Sequence, residues 1–134
     1  MTPKEYMEEA DRLRRRIRRK ESEIRSLRER AEGMNGMGNS DMPKTVSPNP
    51  HKLEAAIGRI TELEQEVEEI KAELNALVSV MRNKIQQVQD DDARDILEKR
   101  YLEFKSWKTI IAEMYVSESS CYRLHRQGLA ALKI

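Results

Sequence analysis

The sequence predicts an all-α chain, a long antiparallel helical hairpin (a coiled coil) followed by a three-helix unit with a helix-turn-helix. Three observations lead there. Charged residues make up 37% of 134 residues and aromatics only 4%, the profile of long helices rather than of a large globular core. Most of the 5 glycines and 4 prolines gather between Gly33 and Pro50, which leaves long unbroken stretches on either side. Apolar residues recur at heptad spacing before and after that break.

The first helix is expected from about Pro3 to Glu32. Thr2 suits the N-cap, Pro3 the first helical position, and Glu5 completes a capping box. Tyr6, Ala10, Leu13, Ile17, Ile24, Leu27 and Ala31 form its apolar stripe, interrupted by Lys20. Residues 33–49 are rich in breakers and are expected to form a linker.

The second helix is expected to start with Asn49 as N-cap and Pro50 at the first position. Leu53, Ile60, Val67, Leu74, Met81 and Val88 fill one heptad position, and Ala56, Leu63, Ile70 and Leu77 the other. Such a stripe needs a partner helix, from the same chain or from a second copy. Charge selects the direction. Arg12 to Lys20 reads RLRRRIRRK, whereas Glu62 to Glu73 reads ELEQEVEEIKAE. An antiparallel hairpin sets the basic block against the acidic one, with Ile17 near Val67. Whether the basic block pairs in this way or grips nucleic-acid phosphates stays open at this point.

The third block, residues 90–134, follows the hairpin of residues 1–89. Asp90, Asp91 and Asp92 favour a helix start. Ala93, Ile96, Leu97 and Tyr101 share an apolar face that Phe104-Lys105-Ser106 ends. Ser106 is placed to cap a second short helix carrying Trp107, Ile110, Ile111 and Met114. Tyr115-Val116-Ser117 is expected as a tight turn, and Ser117 is placed to cap a third helix with Cys121, Leu124, Leu129 and Leu132 apolar at roughly helical spacing, Cys121 and Leu124 packing inward. Short helices around such a turn make a helix-turn-helix. Ala112 is expected at the close approach and Val116 as a plug. Glu118, Ser119, Tyr122 and Arg123 are expected to face outward, where a recognition helix meets the major groove.

Several function classes are excluded by expectation. The net charge is +1, so a nucleic-acid role must rest on local charge. Lys4, Glu5, Glu8 and Glu9 have no apolar run behind them, which argues against a signal peptide, and no stretch is apolar enough to span a membrane. Cys121 is the only cysteine and the two histidines are far apart in sequence, so neither a disulfide nor a zinc site is expected. No catalytic constellation and no glycine-rich phosphate loop occur, so neither an enzyme nor a cofactor is expected. A bacterial cytoplasm is the expected setting.

The stretch from Ile96 to Leu132 resembles region 4 of sigma-70-type factors. The likeness rests on Arg100-Tyr101 near the end of a leading helix, Glu113 four residues before Ser117, and the closing Gly128-Leu129-Ala130-Ala131-Leu132. The whole chain is similar to small phage and prophage late-transcription regulators of the ArpU and RinA kind. That resemblance implies a sequence-specific regulator binding double-stranded DNA, with host RNA polymerase as a further partner. It implies base contacts from Glu118, Ser119 and Arg123, and backbone contacts from Ser120, Tyr122 and Arg126. Ser106, Trp107 and Lys108 would begin the supporting helix and meet phosphates there. Region 4 is usually more basic at the positions of Glu118, Ser120 and Tyr122. The alternatives from other classes are a DNA-packaging adaptor of the small-terminase kind and a coiled-coil scaffold, either built by homo-oligomers through the long helices.

Overall fold

The computed structural model describes residues 1–34 and 50–132. It is all-α: every regular element among those residues is helical. The elements are α1 (Pro3–Met34), α2 (Pro50–Ile85), α3 (Asp91–Leu97), a π-helical turn (Glu98–Leu102), α4 (Trp107–Met114) and α5 (Glu118–Ala131). The expected linker 33–49 and the Asn49 cap lie outside the described residues, except that Gly33 and Met34 complete α1.

The capping box opens α1 as its sequence requires. Glu5 N–H donates to Thr2 Oγ1 at 3.1 Å, and Thr2 N–H donates to Glu5 Oε1 at 3.2 Å. Two otherwise unpaired helix-end donors are thereby satisfied. The hydrogen bonds from Thr2 hold the Glu5 carboxyl below the usual carboxylate range.

The chain divides into two compact units, Arg12–Glu73 and Met1–Asp11 with Leu74–Ile134. The first is the helical hairpin. Leu13, Ile17 and Ile24 of α1 are buried, as are Ala56, Ile60, Leu63, Val67 and Ile70 of α2. Lys20, the one charged residue in the α1 stripe, reaches Glu66 at 2.8 Å. Arg28 reaches Glu64 at 3.2 Å, Arg59 reaches Glu23 at 3.7 Å, and Lys71 reaches Glu21 at 3.9 Å. Residues 20 and 21 thus meet 66 and 71, while 23 and 28 meet 59 and 64, which fixes the helices as antiparallel. The expected direction holds, and Lys20 of the basic block meets Glu66 of the acidic one. Exposed pairs of this kind select orientation; burial of side chains such as Leu63, at roughly 1.5–3 kcal/mol each, supplies the stability.

The heptad of α2 drifts. Its buried series runs Ala56, Ile60, Leu63, Val67 and Ile70, then Val78, Met81, Ile85 and Val88, with Leu74 and Leu77 half-buried. A helix of 3.6 residues per turn slips against a strict seven-residue repeat. The seam therefore passes to Val78 and Ile85. The helix ends at Ile85, and Val88 is buried in the turn that follows, its N–H donating to the Ile85 carbonyl at 3.0 Å.

The second unit holds two cores with α3 between them. Tyr6, Met81, Ile85 and Val88 pack with Ala93, Leu97, Tyr101 and Leu132. Ile96, Ile110, Cys121 and Leu124 form the other, closed by Trp107, Ile111, Met114 and Val116. The single apolar face expected of α3 is thus two faces. Ile96 looks to one core, and Ala93, Leu97 and Tyr101 to the other.

Candidate nucleic-acid interface

Side-chain caps set the frame of the helix-turn-helix. Ala93 N–H donates to Asp90 Oδ1 at 2.9 Å and starts α3. Phe104, at φ 57°, reverses the chain after the π-helical turn. Arg100 donates to the Lys105 carbonyl at 3.0 Å and steadies that reversal. Thr109 N–H donates to Ser106 Oγ at 3.2 Å and starts α4. Tyr115 ends α4 at φ 54°, with its side chain 95% exposed. Ser120 N–H donates to Ser117 Oγ at 3.1 Å and starts α5. Ser106 and Ser117 cap as expected, and Val116, Cys121 and Leu124 point inward as expected.

The close approach lies elsewhere than expected. Ala112 is exposed. Gly128 of α5 instead meets α3: a Cβ there would lie 2.9 Å from Leu97 Cδ1, 3.0 Å from Leu97 Cγ and 3.4 Å from the Ala93 carbonyl oxygen. An isolated glycine inside a helical pattern was the available signal.

An aromatic cluster supports the start of α4. Trp107 stands edge-on to Tyr122 at 5.2 Å and to His125 at 4.6 Å. The Arg100 guanidinium lies over the Trp107 ring, 4.9 Å from its centroid. His125 stacks on Tyr101, and the Tyr101 hydroxyl is 2.9 Å from His125 Nε2. His125 thus belongs to this cluster. Burial pushes its pKa down, with Arg100 and Arg126 adding to the effect. Burial likewise pushes the Cys121 thiol up, which keeps it protonated and suits a packing role.

Of the nine residues singled out for DNA contact, Ser106, Lys108, Glu118, Ser119, Arg123 and Arg126 are exposed. Trp107, Ser120 and Tyr122 are half-buried. Ser119, Arg123 and Arg126 stand at helical positions i, i+4 and i+7, on one face of α5. The Ser117 hydroxyl lies 3.3 Å from that of Ser119 and 2.9 Å from that of Ser120. Trp107 and Tyr122 engage each other.

The charges of this segment are sorted. From Asp90 onward the sequence carries eight bases and eight acids. Glu113 binds Lys99 at 3.1 Å and Lys105 at 2.8 Å, Glu103 binds Lys105 at 3.1 Å, and Asp91 binds Arg94. Lys105 and Lys99 together hold the Glu113 carboxyl below the usual carboxylate range. Lys108, Arg123 and Arg126, in contrast, are exposed and enter no ion pair among the described residues. Within the described residues no group of three or more His, Cys, Asp or Glu is placed to hold a metal ion, and no helix is long and apolar enough to cross a membrane.

Compared with known families, residues 53–133, from α2 through α5, match the model described as "Protein of unknown function (DUF1492)". No curated protein and no solved structure matches the chain.

Proposed function

The chain belongs to the DUF1492 family, and from that premise we propose that it is a sequence-specific DNA-binding transcription regulator of phage or prophage type. It reads duplex DNA through α5. The observation that carries this reading is the sorting of charge. Acids neutralise Arg94, Lys99 and Lys105, while Lys108, Arg123 and Arg126 stay exposed on α4 and α5, unpaired among the described residues. A balanced segment thereby keeps cations available on α4 and α5, as phosphate and base contacts require.

The local architecture supports the same reading. Ser106 and Ser117 hold the starts of α4 and α5, where backbone N–H groups suit phosphate oxygens. Ser119, Arg123 and Arg126 share a face, and arginine suits the acceptor pair on a guanine edge. The likeness of residues 96–132 to sigma region 4 points the same way and adds RNA polymerase as a partner.

Selection of bound duplexes from a random pool tests the proposal. An enriched motif whose affinity exceeds that of random duplex by about 10³-fold or more at one salt concentration is the expected result. Duplex binding with no enriched motif overturns sequence-specific regulation and favours a packaging or scaffold role.

A further inference from the structure

We infer that the outward face of α1 around Arg15, Arg18 and Arg19 is a second, sequence-independent contact for the phosphate backbone of duplex DNA. Three observations in the hairpin unit carry it. Arg15, Arg18 and Arg19 are exposed. Leu13, Ile17 and Ile24 form the buried side of α1, and helical geometry puts Arg15 and Arg19 opposite it, with Arg18 beside them. Among the described residues none of the three side chains enters an ion pair or hydrogen bond, although those of Lys20 and Arg28 do.

Four acidic residues of α2 are engaged elsewhere. Glu64 and Glu66 hold Arg28 and Lys20, while Glu62 and Glu68 pair with Arg59 and Lys71. No acid occurs from Arg12 through Lys20, and the described ion pairs of the hairpin leave the three guanidinium groups out. Burial gives no reason for them either, because none contributes to the core.

Their chemistry selects the partner. Guanidinium forks match phosphate oxygens in bidentate fashion. Arg15 to Arg19 span about 6 Å of helix axis, against one duplex charge per about 1.7 Å. A repeating polyanion meets all three whatever its sequence. A lipid surface is disfavoured, since an interfacial helix inserts its apolar face into the membrane, and that face of α1 is occupied by packing.

The test uses the full chain and a random-sequence duplex, titrated between about 50 and 200 mM salt. R15Q/R18Q/R19Q is compared with wild type and with the charge-retaining R15K/R18K/R19K. The triple glutamine variant is expected to keep its helix content. Its log–log salt slope should be shallower by roughly two to three, since each phosphate contact contributes about 0.9. The lysine variant should keep the wild-type slope. An unchanged slope in the glutamine variant overturns the inference, as does a wild-type chain that binds no duplex at low salt. A glutamine variant that loses self-association while binding duplex as before overturns it too, and makes a second copy the occupant. Failure here is separable from failure of the α5 reading. An unchanged slope with an enriched motif sinks only the α1 contact. A stripe-dependent slope with no enriched motif sinks only the α5 reading.

Discussion

The phenol oxygen of Tyr101 lies 2.9 Å from Nε2 of His125, and the two rings stack 5.8 Å apart with 15° between their planes. Trp107 closes the other side of the imidazole, edge-on at 4.6 Å. Burial, then Arg100 and Arg126, push the His125 pKa below its ordinary 6.5. The folded unit therefore favours the neutral ring. Unfolding lets the ring take up a proton at a higher pH than the folded chain does. Stability linked to His125 is present above about 6.5 and is lost as pH falls from there through the folded pKa. The Tm of the wild type should fall more than that of His125→Phe as pH drops from about 7.5 to about 5. Parallel Tm curves for the two proteins would sink this assignment.

Tyr6 reaches across 95 residues to donate its hydroxyl to the Tyr101 carbonyl at 2.6 Å. Both residues are buried, so a lost donor leaves that carbonyl without this partner. Burial pushes the Tyr6 pKa up to about 12, and the hydroxyl stays a donor across the ordinary pH range. Tyr6→Phe keeps the ring and should cost about 1–2 kcal/mol in urea unfolding. Tyr6→Ala also empties a site between α1 and the π-helical turn, and should cost about 3–5 kcal/mol. Equal losses for the two variants would deny the hydrogen bond its separate contribution.

The contact of Gly128 with Leu97 sets how closely α5 approaches α3. A Cβ at Gly128 would stand 2.9 Å from Leu97 Cδ1, and Leu97 is fully buried. The leucine has little room to retreat in a close-packed core. Gly128→Ala gains up to about 1 kcal/mol of helix propensity and meets an overpacking cost of about 1–3 kcal/mol. The expected net effect is a loss of up to about 2 kcal/mol. Leu97→Ala should lose less stability in the Gly128→Ala background than in the wild type, and a double-mutant cycle measures the difference. A coupling energy of zero would place the strain elsewhere.

What was legible in the sequence was local. The Thr2–Glu5 box, the Ser106 and Ser117 caps and the seam from Ala56 to Ile70 rest on spacings of a few residues. The antiparallel direction followed from the charge of two blocks. Three features escaped. The seam of α2 passes to Val78 and Ile85 because small slips accumulate along a straight helix. Ala112 was expected at the close approach because it is small, yet the contact is made by Gly128, whose partner Leu97 is far away in sequence. The face of α3 was read as one because no local pattern shows that Tyr6 and Ile85 stand on its other side. In the candidate interface the outward places of Glu118, Ser119 and Arg123 followed from helix period. The sorting of Lys99 and Lys105 onto Glu113 did not, since it depends on how α4 lies against the π-helical turn.

Arg123 and Arg126 stand three residues apart on α5, both exposed and outside any ion pair among the described residues. Their proposed roles differ, and so do the expected effects of removing them. Arg123 is assigned to a base edge. Arg123→Ala should weaken binding to a selected duplex by about 1–3 kcal/mol and relax preference at one base pair, with little effect on random duplex. Arg126 is assigned to the backbone. Arg126→Ala should weaken selected and random duplexes alike and make the salt slope shallower by about one. Neither change removes a packed side chain, so both variants should unfold at the wild-type temperature. Titrations of each variant against both duplexes at several salt concentrations separate the two roles. If Arg126→Ala alone relaxes sequence preference, the assignments are exchanged and α5 enters the groove by its later turn.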